Sequence, residues 1–95
     1  MRHRFLEITY RKGKPLAAYL YLVRQQGDTS ARTERHPTGL IIDFAADNRA
    51  IGIEITSPSS ISLTDVNAAL AAAKQEPISA DDIAPLLTAG TAKPV

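Results

Sequence analysis

Asp43 and Glu54 are the residues of this chain whose type and spacing best suit chemistry. They lie in two apolar segments, Leu40-Ile41-Ile42-Asp43-Phe44 and Ile51-Gly52-Ile53-Glu54-Ile55. If the segments pair as an antiparallel hairpin with Ile42 opposite Ile53, then Phe44 meets Ile51, Leu40 meets Ile55, and all six share one face. Asp43 then stands opposite Gly52 on the other face, with Glu54 its diagonal neighbour at roughly 7–8 Å. Two carboxylates at such a separation can act as acid and base in hydrolysis, or hold a hard cation. An antiparallel sheet with one solvated face also turns Asp and Glu outward with no chemistry attached. Gly52 beside Asp43 allows the close approach of a ligand, or marks a bulge.

Other chemistries find little support. His3 and His36 are the only imidazoles and lack the spacing of a zinc motif, and the chain has no Cys. The five Gly are scattered, so no phosphate loop is present, and no Ser lies in a G-x-S-x-G context. The expectation is a protein that is not an enzyme, with no catalytic, cofactor-binding or metal-ligating residues. Net charge is +1, which gives no global argument for nucleic acid. Residues 1–42 hold eight Lys/Arg and three acids, whereas residues 50–95 hold two and five. Arg2 and Arg4, however, stand at one end of the first strand and Arg11, Lys12 and Lys14 at the other, roughly 20–25 Å away at about 3.3 Å per residue. A split patch of this kind argues for solubilised strand ends rather than a nucleic-acid surface. No run approaches the roughly 18 apolar residues of a membrane span, and the first ten residues lack a signal-peptide core, so a cytoplasmic protein is expected.

The elements that must position Asp43 and Glu54 can be read from periodicity. Leu6, Ile8 and Tyr10 alternate with Glu7 and Thr9, the period of a half-buried strand. Arg11 to Pro15 breaks the run, and Ala18 to Val23 forms the returning strand. Pairing Tyr10 with Ala18 sets Ile8 against Leu20 and Leu6 against Leu22, and on the other face Thr9 against Tyr19, Glu7 against Tyr21 and Phe5 against Val23. Thr33 to His36 can add a short strand before Pro37 stops it. Ser62-Leu63-Thr64-Asp65 has the form of a helix start, a Ser cap with an acid three residues on, and Leu63, Val66, Leu70 and Ala73 recur at helical spacing. Pro77 requires the helix to stop by Glu76. A second start at Ser79-Ala80-Asp81-Asp82 is flanked by Ile78 and Ile83 as a staple, is limited by Pro85, and gives way to a frayed tail from Thr88 to Val95. The expected fold is α+β: a four-stranded antiparallel β-meander of two hairpins, then one α-helix and a short C-terminal helical segment. Residues 1–76 carry the sheet and helix, and residues 77–95 complete the same domain.

Ile8-Thr9-Tyr10 with Ala18-Tyr19-Leu20-Tyr21-Leu22, and Gly39-Leu40-Ile41-Ile42-Asp43-Phe44 with Ile51-Gly52-Ile53-Glu54-Ile55, resemble the two halves of a small prokaryotic family, domain of unknown function 2283. The resemblance covers about Leu6 to Leu70. Where the family usually has an acid in its first hairpin this chain has Lys14-Pro15-Leu16-Ala17, and where the family has Asp-Gly in its second it has Asp47-Asn48. The resemblance implies a four-stranded antiparallel meander followed by a helix, and no defined activity. Some members look like the smaller partner of toxin–antitoxin-type gene pairs, which points to protein binding and to a small basic protein as partner.

A single helix covers only part of one sheet face. Phe5, Glu7, Tyr19, Tyr21, Ile41, Asp43 and Glu54 project to the other, with Val23, and make an amphipathic candidate interaction surface. A homodimer that covers this face is expected. The alternative is that the C-terminal segment, through Ile83, Leu86 and Leu87, covers it within one chain.

Overall fold

The computed structural model describes residues 3–86. Its centre is one antiparallel sheet of five strands: β1 (Phe5–Arg11), β2 (Lys14–Tyr21), β3 (Arg32–Arg35), β4 (Ile41–Phe44) and β5 (Ala50–Ile55). Their spatial order is β1-β2-β5-β4-β3. The expected four-stranded meander is therefore corrected on two counts. The short segment before Pro37 is a fifth strand, and the second hairpin is turned over so that β5, not β4, lies beside β2. The reason is burial. In β5, Ala50, Ile51, Gly52, Ile53 and Ile55 are all buried and Glu54 is partly so. A strand buried on both faces takes the centre of a sheet, whereas Arg32-Thr33-Glu34-Arg35, exposed throughout, takes an edge.

Two turns set the registers. Lys12 and Gly13 both have positive φ, at 53° and 78°, which makes the first hairpin a tight two-residue loop with Arg11 opposite Lys14. Strand β1 consequently pairs two residues away from the sequence-based register: Leu6 faces Leu20, Ile8 faces Ala18, Glu7 faces Tyr19 and Phe5 faces Tyr21. A shift of two leaves every side chain on its expected face. The ladder steps from Thr9–Ala17 to Tyr10–Pro15, so the extra residue of this bulge is Leu16, on β2. In the second hairpin Ile42 faces Ile53 and Asp43 faces Gly52 as expected, but Phe44 faces Ala50, which leaves Ile51 as a bulge residue. The loop between them turns at Asn48, whose φ is 70°.

Helix α1 (Leu63–Ala72) starts as its sequence predicts. The Ser62 hydroxyl accepts from Asp65 N, and the Asp65 carboxylate accepts from Ser62 N, each at 3.1 Å. It ends before Pro77 makes it. Lys74 adopts φ 60°, and Lys74 N and Gln75 N donate to the carbonyls of Ala71 and Leu70, a Schellman closure. The chain then returns across the sheet. Asn67 holds the backbone of Ile78 from both sides, accepting from its N–H at 2.7 Å and donating to its carbonyl at 3.2 Å. Arg4 donates to the carbonyls of Glu76 and Pro77. The second helical start is a single 3-10 turn, Asp81–Ile83, with Ser79 and Asp82 bonded to each other at its head.

Val66, Ala69, Leu70, Ile78, Ile83 and Leu86 all join one core with Leu20, Leu22, Ile42, Phe44, Ile53 and Ile55. Burying each large aliphatic side chain there contributes about 1.5–3 kcal/mol. This corrects the alternative in which Ile83 and Leu86 cover the other sheet face, since both lie under the same face as α1. Leu87 and the tail from Thr88 to Val95 lie outside the described residues, as does Arg2. Among the described residues, no helix is long and apolar enough to cross a membrane.

Candidate functional site

The registers place all seven candidate residues on the outer face. One cross-strand row runs Glu7, Tyr19, Glu54, Ile41, and the next runs Phe5, Tyr21, Gly52, Asp43. The pairings within the first hairpin differ from the sequence-based ones. Glu7 stands opposite Tyr19, and Phe5 stands opposite Tyr21 rather than Val23, which lies beyond the strand and is exposed.

Gly52 decides what the second row does. Its partner strand β2 carries Tyr19 one row away, and the phenol ring lies across the bare Cα of residue 52. A Cβ there would fall on the Tyr19 ring itself. The close approach that a glycine allows is thus made by the chain's own tyrosine. Crossing Gly52 brings the Tyr19 hydroxyl to Asp43, where it donates to Oδ2 at 2.7 Å. Asp43 is only 6% exposed, and its second oxygen, Oδ1, is buried with no hydrogen-bond partner.

Seven further contacts close the cluster. Arg24 donates through Nε to the carbonyl of Ile51, the bulge residue, and through a terminal nitrogen to the Tyr19 hydroxyl at 3.0 Å. Its guanidinium lies 5.0 Å from the Tyr21 ring centre and 5.7 Å from that of Tyr19. Phe5 stacks on Tyr21 at 4.4 Å between centres, Tyr19 meets Tyr21 edge-on at 4.6 Å, and Tyr21 donates to Glu7 at 3.2 Å.

The electrostatics follow from this packing. Burial raises the Tyr19 hydroxyl well above its ordinary value, and the Asp43 carboxylate beside it raises it further. Tyr19 is therefore a fixed donor to Asp43. Burial also raises the Glu54 carboxyl, and repulsion from the Asp43 charge raises it further. Above the cluster lies an open depression of about 500 Å³, lined by Glu7, Tyr19, Tyr21, Arg24, Ser30, Thr33, Asp43 and Glu54.

Chemically, this is a pair of neighbouring carboxyl groups, one of whose oxygens is already committed to a tyrosine. Among the described residues no three His, Cys, Asp or Glu come together to hold a metal ion. Of the two histidines, His3 is exposed, whereas His36 is drawn into a turn: its Nδ1 accepts from Thr38 N at 3.2 Å and lies 2.8 Å from the Thr38 hydroxyl. No family model, curated protein or solved structure matches this chain.

Arg24 is the site residue that sequence reasoning missed. It follows the second strand in a polar stretch, where an Arg gives no periodic signal. The bulge at Ile51, which turns a carbonyl toward it, is equally silent in the sequence.

Proposed function

We propose that this protein is a non-catalytic interaction module whose outer sheet face receives a basic segment of a partner protein. One observation carries the reading. The stacked pair Phe5 and Tyr21, with Phe5 47% exposed, stands beside Glu7 and Glu54 on a face that no described helix covers, because α1 and the returning chain both pack on the inner side. Rings flanked by carboxylates suit Lys and Arg side chains, which stack and pair at once. The way Arg24 sits over both tyrosines is an instance of that contact within the chain. The resemblance to a family with antitoxin-like members points the same way.

The test compares the native protein with Tyr21→Ala as tagged baits in the source cell. A basic protein recovered by the native bait and at least tenfold depleted with Tyr21→Ala supports the module. Recovery that is absent, or equal with both baits, refutes it.

A second reading, a small hydrolase using Asp43 and Glu54, is favoured by the raised Glu54 carboxyl beside a carboxylate. It requires a hydrolytic activity that Glu54→Gln abolishes. The interaction reading requires instead that the native protein has no such activity and that Glu54→Gln weakens capture of the partner, as loss of one flanking carboxylate should.

A further inference from the structure

The two edges of the sheet are unlike. Strand β3 is four residues long, wholly exposed, charged at three of its four positions, and followed two residues later by Pro37. Those are the devices that keep an edge from pairing. Strand β1 has seven residues and no proline. It is also regular, because the extra residue of the adjoining bulge is on β2. Two of the exposed large apolar side chains, Phe5 at 47% and Tyr10 at 56%, stand near its two ends.

We propose that two copies of this chain pair antiparallel through β1, about a two-fold axis at Ile8, into one continuous ten-stranded sheet. Symmetry and the pleat leave few registers. Free N–H and C=O groups meet, and inner faces match, only if the axis passes through a residue rather than between two. An axis at Glu7 sets Glu7 directly opposite its own copy, a like-charge pair. An axis at Thr9 pairs only Glu7 to Arg11 and leaves Phe5 and Leu6 against the turn. An axis at Ile8 uses all seven residues of β1. Ile8 then meets the partner's Ile8, Leu6 meets the partner's Tyr10, and Phe5 lies beneath the partner's Arg11. Glu7 stands opposite the partner's Thr9 and diagonal to the partner's Arg11 on one side and the partner's Glu7 on the other, so two opposite-charge contacts form by symmetry against one like-charge contact across the axis. Each exposed apolar side chain of the strand gains cover. The two outer faces become one surface, but the dimer does not depend on what that surface binds.

The absence of Cys makes the test direct. Purified Ile8→Cys, treated with a short bis-maleimide or mild oxidant, should give a covalent dimer in high yield, and Thr33→Cys on the other edge should not. Sedimentation should show Glu7→Lys weakening self-association about tenfold, the effect of reversing two contacts of up to about 1 kcal/mol each. The charge swap Glu7→Lys with Arg11→Glu should restore it. A folded native monomer at several hundred micromolar overturns the proposal. So does equal crosslinking at both edges, or a charge swap that fails to rescue while circular dichroism shows the fold intact.

Discussion

The inner and outer faces of this sheet are built on opposite principles. The inner face is a sum: Leu20, Leu22, Ile53 and Ile55 lie against Val66, Leu70, Ile83 and Leu86, and each adds apolar area with no directional demand. The outer face is a circuit. Gly52 admits the Tyr19 ring, Tyr19 satisfies Asp43, Arg24 holds Tyr19 and spans both tyrosines, and Tyr21 reaches Glu7. A sum loses in proportion to what is removed, whereas a circuit fails where it is cut. The inner face therefore accounts for why the chain folds. The outer face is specified more finely than folding requires, as a surface shaped for recognition would be.

The largest effect should come from the smallest chemical change. Gly52→Ala adds one methyl, but it displaces the Tyr19 ring and strips Asp43 of its donor. We expect a loss of about 3–4 kcal/mol, combining overpacking with an unsatisfied buried carboxylate. That equals the loss expected from Leu20→Ala, which empties a fully buried site on the inner face. Chemical denaturation of the two variants side by side checks this. A cost below about 1 kcal/mol for Gly52→Ala would show that Tyr19 swings away freely and that the circuit is loose.

Next in size is the hydroxyl itself. Tyr19→Phe keeps the ring and leaves Asp43 with no donor on Oδ2, at a cost of about 2 kcal/mol. Asp43→Leu in the same background removes the orphaned carboxylate and should recover at least half of that. A coupling of about 1 kcal/mol or more in the double-mutant cycle is the signature of a circuit. Strictly additive losses would make the outer face a second sum.

The same contrast explains what was legible in the sequence. Period-two alternation placed every outer-face candidate on its face, and the Ser62–Asp65 cap placed the start of α1, because these signals are local. The registers were less legible. The expected pairing of Tyr10 with Ala18 fails because Lys12 and Gly13 alone make the turn, and a lysine with positive φ leaves no compositional mark. The flipped second hairpin was hidden for another reason. Which of two apolar strands takes the centre depends on comparing their burial across the whole sheet. Strand β3 was legible as a short strand at Thr33 to His36, one residue from its actual span, but its place beside β4, where Arg32 lies 4.0 Å from the Phe44 ring centre, was not. The circuit was legible as residues, not as contacts, since Arg24 reaches Tyr19 only after Ile51 bulges.

The two faces should also answer pH differently from the loops. Glu54 is raised in the folded protein, so folding takes up protons there. Its contribution is fully present below its ordinary value near pH 4.5 and is lost as pH rises through the higher folded value. Asp28 is lowered, first by its hydrogen bond from Arg49 and then by one from Gln25 N. Its contribution is present above about pH 3.8 and is lost as pH falls through the lower folded value. Thermal melts from pH 3 to pH 8 should show both limbs. Glu54→Gln should flatten the upper limb and raise the melting temperature at neutral pH, leaving the acid limb alone. Asp28→Asn should flatten only the acid limb. If Glu54→Gln destabilises the protein at neutral pH, the Glu54 carboxylate is charged and paired there, and burial does not raise it.

The smallest effect expected lies in neither face and serves to calibrate both. Lys74 closes α1 in the left-handed region at φ 60°, where a side chain costs about 1 kcal/mol that glycine does not. Its side chain is exposed. Lys74→Gly should therefore gain about 0.5–1 kcal/mol, less than the strain itself because the unfolded chain also gains freedom. The gain should add to the Gly52→Ala and Tyr19→Phe losses within about 0.5 kcal/mol, since the sites share no partner. A departure from additivity would mean that the helix cap on the inner side senses the outer face. The sheet would then transmit between its faces what its packing keeps apart.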